Sequence, residues 1–148
     1  MAIYRPQRPR WRTAVWAGVL GLGIGLLIGW GILRPDPDPA EILGEVRADL
    51  ASAAATLEVV EIEYAESVED GRVVASPEYQ GARDALASSR TRYEEARAGV
   101  AAVSSATASA IDDAYDRLTT AVDARAPGEE ISTAVRELRE MLSGALGR

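Results

Sequence analysis

Residues 38–71, DPAEILGEVRADLASAAATLEVVEIEYAESVEDG, decide the architecture of this chain. Asp38-Pro39-Ala40-Glu41 reads as a helix start. Asp38 caps, Pro39 suits the first helical position, and Glu41 completes a capping box. Leu43, Val46, Leu50, Ala53, Leu57, Val60 and Tyr64 then recur in steps of three and four, an unbroken seam along one helix face. Gly71, after Glu69-Asp70, supplies the stop.

The same grammar repeats downstream. Ser76-Pro77-Glu78 opens a second helix by the same capping logic. Its seam is Tyr79, Ala82, Leu86, Ser89, Tyr93, Ala96, Val100 and Val103. Gly99 and the Ser104-Ser105 pair weaken that run, so a break is expected between 101 and 106. A third helix carries Ile111, Tyr115, Leu118 and Val122. Pro127-Gly128 interrupts the chain, and a fourth helix carries Ile131, Val135, Leu138 and Leu142 before fraying from Gly144. Apart from Arg72-Val73-Val74-Ala75, nothing alternates with a period of two. Four amphipathic helices on short connections predict an up-down antiparallel four-helix bundle with a small, alanine-rich core.

Upstream lies TAVWAGVLGLGIGLLIGWGIL, residues 13–33, without a charge. As a helix it rises about 31 Å, the thickness of a bilayer core. The run is longer than the apolar part of a signal peptide, and no small-x-small site closes it, so it reads as an uncleaved anchor. Arg5, Arg8, Arg10 and Arg12 precede it, and arginine-rich flanks stay cytoplasmic. Residues 35–148 hold 11 arginines and all 23 acids, a net of −12. The expected fold class is therefore all-α: one N-terminal transmembrane helix, then the antiparallel bundle. The expected divisions are a cytoplasmic basic tail (1–12), an anchor (13–33), a Pro/Asp linker (34–39) and an extracytoplasmic bundle (40–148). The protein would be a single-pass protein of the cell membrane, with its C-terminal domain periplasmic or extracellular. Ala17, Gly21, Gly25 and Gly29 recur every fourth residue, a smooth stripe where a second helix backbone can approach. The partners expected are thus the lipid bilayer and, through that stripe, another membrane protein or a second copy.

Composition narrows the chemistry. The chain has no Cys, His or Lys. Disulfides and thiolate chemistry are absent, and so are the usual general base and the commonest transition-metal ligand. The serines lack a base to activate them, which points away from an enzyme. The negative balance argues against a nucleic-acid partner.

Three constellations remain. Glu58, Glu61, Glu63, Glu66, Glu69 and Asp70 form an acidic run, with Glu58/Glu61 and Glu66/Asp70 on shared helix faces. Carboxylates at such spacing can hold a hard cation, iron or calcium. A solvated acidic face is the competing structural reading, and Arg72 and Arg83 can neutralise part of it. Glu137 and Glu140, in Arg136-Glu137-Leu138-Arg139-Glu140, flank a core position and read as an ordinary exposed face. Tyr64, Tyr79, Tyr93 and Tyr115 all fall on core seams, where tyrosine packs its ring and sends its hydroxyl to a partner.

The string Glu63-Tyr64-Ala65-Glu66-Ser67-Val68-Glu69-Asp70-Gly71-Arg72-Val73-Val74, followed by Glu78-Tyr79, resembles the extracytoplasmic helical domain of bacterial high-affinity iron permeases of the oxidase-coupled type. That domain has an acid and Tyr, a Val, Asp-Gly-x-Val, then Glu-Tyr opening the next helix. The likeness spans most of residues 40–146. Carried over residue by residue it covers Glu63, Tyr64, Val68, Asp70, Gly71, Val73, Glu78 and Tyr79. Those permeases conduct iron through several membrane helices bearing Arg-Glu-x-x-Glu. Here one expected membrane helix has no acid, and Arg136 to Glu140 matches only by letter. The resemblance implies a membrane-anchored, non-enzymatic accessory module associated with iron uptake. Glu63, Glu66, Asp70 and Glu78 are its candidate metal ligands, and iron is the candidate metal. The alternative is a single-span structural or assembly subunit of a larger membrane complex, docking through its Gly-rich helix. A sensor ectodomain ranks last, since a dozen-residue tail leaves no room for an output domain.

Overall fold

A computed structural model describes residues 38–146. Helix α1 (Pro39–Ser67) is followed by two short strands, β1 (Val68–Glu69) and β2 (Arg72–Val73). Helices α2 (Ser76–Val103), α3 (Ser105–Asp123) and α4 (Gly128–Gly144) complete the chain. Helix α1 packs on α2 and α4, and α3 packs on α2 and α4, so the four close into a ring. Val46 lies against Gly99 and Glu63 against Gly81, which makes α1 and α2 antiparallel. The bundle predicted from the four seams is thus present.

The caps explain where helices begin. The Asp38 carboxylate accepts from the Ala40 N–H at 2.9 Å, and Pro39 occupies the first helical position. The Ser104 hydroxyl accepts from the Thr107 N–H at 3.2 Å, so the expected break after α2 is a helix N-cap. Ser76 differs from expectation. It is the first helical residue, Ala75 holds the N-cap position, and no side chain caps it.

The end of α1 also differs. The helix stops at Ser67, short of Glu69-Asp70-Gly71, because Val68 turns extended and pairs with Val73 while Glu69 pairs with Arg72. Asp70 (φ 49°) and Gly71 (φ 72°) are both left-handed, the signature of a two-residue type I′ hairpin turn. An Asp-Gly pair marked this turn in the sequence, but a helix stop and a hairpin share that signal.

The core is the four seams. Leu57, Val60, Tyr64, Tyr93, Ile111, Tyr115, Leu118, Ile131, Leu138 and Leu142 are all buried. Two seam residues are not: Leu43 is 40% exposed and Val103 59%. The reason is helix length. Helix α4 has only 17 residues against 29 in α1, and its last turn faces Arg47, Leu50 and Ala51. The seam of α1 therefore runs a turn past its cover. At Gly99 the Val46 side chain of α1 fills the space where a side chain of α2 would stand. A Cβ on Gly99 would sit 2.6 Å from a Val46 methyl.

Among the described residues no helix is long and apolar enough to cross a membrane. The expected anchor 13–33, with Ala17, Gly21, Gly25 and Gly29, lies outside the described residues.

Candidate functional site

The family-like string folds into one end of the bundle, where the α1–α2 hairpin meets the α3–α4 loop. Tyr64 and Tyr79 are its structural centre. Their rings lie 6.3 Å apart at 50°, and both are buried. The Tyr64 hydroxyl donates to the Ala126 carbonyl at 2.7 Å, and that of Tyr79 to the Val122 carbonyl at 2.9 Å. The Val122 carbonyl lies in the last turn of α3 and that of Ala126 in the loop that follows, where the helical ladder has ended. That turn is a Schellman motif: Ala126 N–H bonds to the Ala121 carbonyl, Arg125 N–H to that of Val122, and Arg125 takes φ 57°. Burial pushes the Tyr64 phenol upward, and Tyr79 and Glu130 nearby reinforce the shift.

The rest of the string takes structural positions around this centre. Val68 and Val73 face each other across the ladder and pack on the core. Gly71 supplies the second left-handed residue and lies beside Arg125, whose carbonyl would be 3.8 Å from a Cβ placed there. The tyrosines and valines of the motif thus lock two loops together.

The four expected metal ligands are spread around the same end. Glu63 is half-buried on α1, with its carboxylate in the space left by Gly81 (3.2 Å to an ideal Cβ there). Glu78 is half-buried in the first turn of α2. Glu66 and Asp70 are exposed. Among the described residues no three acids converge closely enough to hold a metal ion by themselves. The end as a whole remains anionic, because Glu69, Asp123, Glu129 and Glu130 are also exposed there.

Arg83 is directed elsewhere than expected. It pairs with Asp123 of α3 at 3.2 Å, the first rung of a ladder between α2 and α3. Arg90 pairs with Asp116 at 2.6 Å, and Arg97 grips both oxygens of Asp112, donating to Oδ1 at 3.1 Å and to Oδ2 at 2.6 Å. This grip holds the Asp112 carboxyl below its usual range. The rungs were missed in the sequence, although arginines at 83, 90 and 97 repeat every seven residues and so share a helix face. The Arg136-to-Glu140 string lies on α4 with Leu138 buried, and Arg139 reaches Glu58 of α1 at 3.5 Å.

A second buried centre lies mid-bundle. The Ser89 hydroxyl, fully buried, donates to the Ala53 carbonyl at 2.9 Å and bonds the Tyr115 hydroxyl at 2.8 Å. Tyr115 stacks on Tyr93 at 5.4 Å, and the Tyr93 hydroxyl donates to the Ala108 carbonyl. Burial raises both phenols, that of Tyr115 to about 12. Among the described residues every buried side-chain polar atom has a partner. These hydroxyls are joints between helices.

Neither the curated proteins nor the solved structures give a match to this chain. One family matches, described as the iron permease-associated 4-helix bundle domain, and the match runs over residues 39–148. It begins at the first residue of α1 and takes in all four helices. The four-helix bundle and the span of the match agree: the chain belongs to the iron permease-associated four-helix bundle family.

Proposed function

We propose that this chain is a non-enzymatic accessory module of iron uptake. Residues 13–33 hold it in the membrane, and the bundle stands outside the cytoplasm. The observation that carries this reading is the family match across the whole bundle. The charge asymmetry between residues 1–12 and 35–148 supports the orientation. The bonding of the buried hydroxyls to structural partners supports a binding role over a catalytic one.

Within this reading the acidic hairpin end, with Glu63, Glu66, Asp70 and Glu78, is the surface that meets iron or its transporter. Iron is cargo here. Since no three of these acids converge, a cation at this end completes its oxygen shell with water or with groups of the transporter.

The full chain in gentle detergent tests the reading in two arms. Tagged chain should co-purify with a multi-subunit membrane complex that carries iron. Calorimetry with ferric or ferrous iron should give heat that falls when Glu63, Glu66, Asp70 and Glu78 are changed to their amides. No heat, unaltered by those changes, removes direct iron contact. Recovery as a free monomer removes the accessory role. Co-purification lost on Gly25→Leu, without any iron effect, favours the structural-subunit reading, to which the four-residue glycine spacing points.

A further inference from the structure

We infer that the end of the bundle where α1 begins touches the lipid surface through Ile42, Leu43 and Val103. This rests on the reading of residues 13–33 as a membrane anchor. The three side chains are 42%, 40% and 59% exposed, among the largest exposed apolar groups of the described residues. They share one end. Val46 faces Gly99, so one turn before Val46 on α1 lies level with one turn beyond Gly99 on antiparallel α2. Leu43 and Val103 continue the core seams of their helices past the last turn that α4 covers. At the opposite end the seams are closed by Tyr64 and Tyr79 and by Val68 and Val73, and the one exposed apolar side chain of the hairpin, Val74, lies off the seams.

Covalent reach selects the occupant. Six peptide steps join Leu33, the last residue of the apolar run, to Pro39, and span about 20 Å at most. Leu43 stands one helical turn further on. The other exposed apolar pair of α1, Val59 and Ile62, stands about 30 Å or more up the helix axis from Pro39. The first end is thus tethered within roughly 26 Å of the end of the apolar run, whereas Val59 and Ile62 meet lipid only if the bundle lies on its side. Charge selects the kind of lipid. Glu41 and Glu45 are exposed beside Ile42 and Leu43, so anionic headgroups are repelled and a zwitterionic surface fits. Ile42, Leu43 and Val103 then bury apolar area at the headgroup–acyl boundary.

The chain has no cysteine, so single cysteines report one site each. The full chain carrying Leu43→Cys, Val103→Cys, Ile62→Cys or Glu130→Cys is labelled with an environment-sensitive fluorophore. Each is reconstituted into phosphatidylcholine vesicles containing a shallow nitroxide lipid. Labels at 43 and 103 should lose most of their emission, and labels at 62 and 130 should keep theirs. If label 43 stays as bright as label 130 in a chain that floats with the vesicles, the inference fails and the anchor reading stands. Equal loss at 43 and 62 also overturns it, in favour of a bundle lying on its side. Emission at 43 that follows protein concentration but ignores the nitroxide overturns it in favour of a second copy. A chain that does not float overturns the anchor reading and the inference together.

Discussion

Ser89 shows what one hydroxyl does in an alanine-rich core. It ties α2 to the Ala53 carbonyl of α1 and to Tyr115 of α3, all out of water. Alanine at 89 removes both bonds and leaves a small void, a loss of about 1–2 kcal/mol. Urea denaturation should show that shift in midpoint, while Ser88→Ala on the exposed face stays within about 0.5 kcal/mol of the parent. The tyrosines add a pH dependence whose sign is fixed. Burial raises the phenols of Tyr64, Tyr93 and Tyr115, the last to about 12. The unfolded chain releases its phenolic protons near pH 10, when the folded chain still holds them. Stability is therefore full below about pH 10 and falls as pH climbs toward about 12. Denaturation midpoints measured across that range should decline, and Tyr115→Phe should make the decline shallower whatever its effect at neutral pH.

At the scale of the element, close approach and turn geometry matter more than propensity. Helices α1 and α2 meet at Gly99, where a methyl would lie 2.6 Å from Val46. Gly99→Ala should cost about 1–3 kcal/mol by overpacking. In a Val46→Ala background the added cost should shrink, because the clashing methyls are gone, and thermal melts of the double cycle measure the difference. The α3 terminus makes the opposite prediction. Arg125 holds a left-handed φ of 57°, a conformation that costs a side chain strain and glycine none. Arg125→Gly should raise stability by up to about 1 kcal/mol. Thermal melts of the variant beside the parent measure it, and a lowered midpoint contradicts the strain argument.

For the whole molecule, the two ends of the bundle differ. One end carries Glu63, Glu66, Asp70 and Glu78 and the interlocked loops, and the other carries open seams flanked by Glu41 and Glu45. The family places the chain in the setting of iron permeases. The full chain should fractionate with membranes and resist carbonate extraction. Neutralising Glu63, Glu66, Asp70 and Glu78 should lower iron-dependent heat or transporter capture without moving the melting temperature by more than a few degrees, since Glu66 and Asp70 are exposed and Glu63 and Glu78 are half-buried.

The sequence by itself determined the helices, their seams, the breaks at Ser104 and Pro127, and the family-like hairpin string. Each of these is written in local periodicity or turn chemistry, which neighbours along the chain can encode. Tertiary structure alone decided that Leu43 and Val103 stay uncovered, because exposure there depends on the length of α4. It also sent Arg83 to Asp123, and gave Tyr79 an acceptor in the last turn of α3 and Tyr64 one in the loop after it. Those outcomes join residues dozens of positions apart. The partner is set by how antiparallel helices fall into register, which no local pattern records.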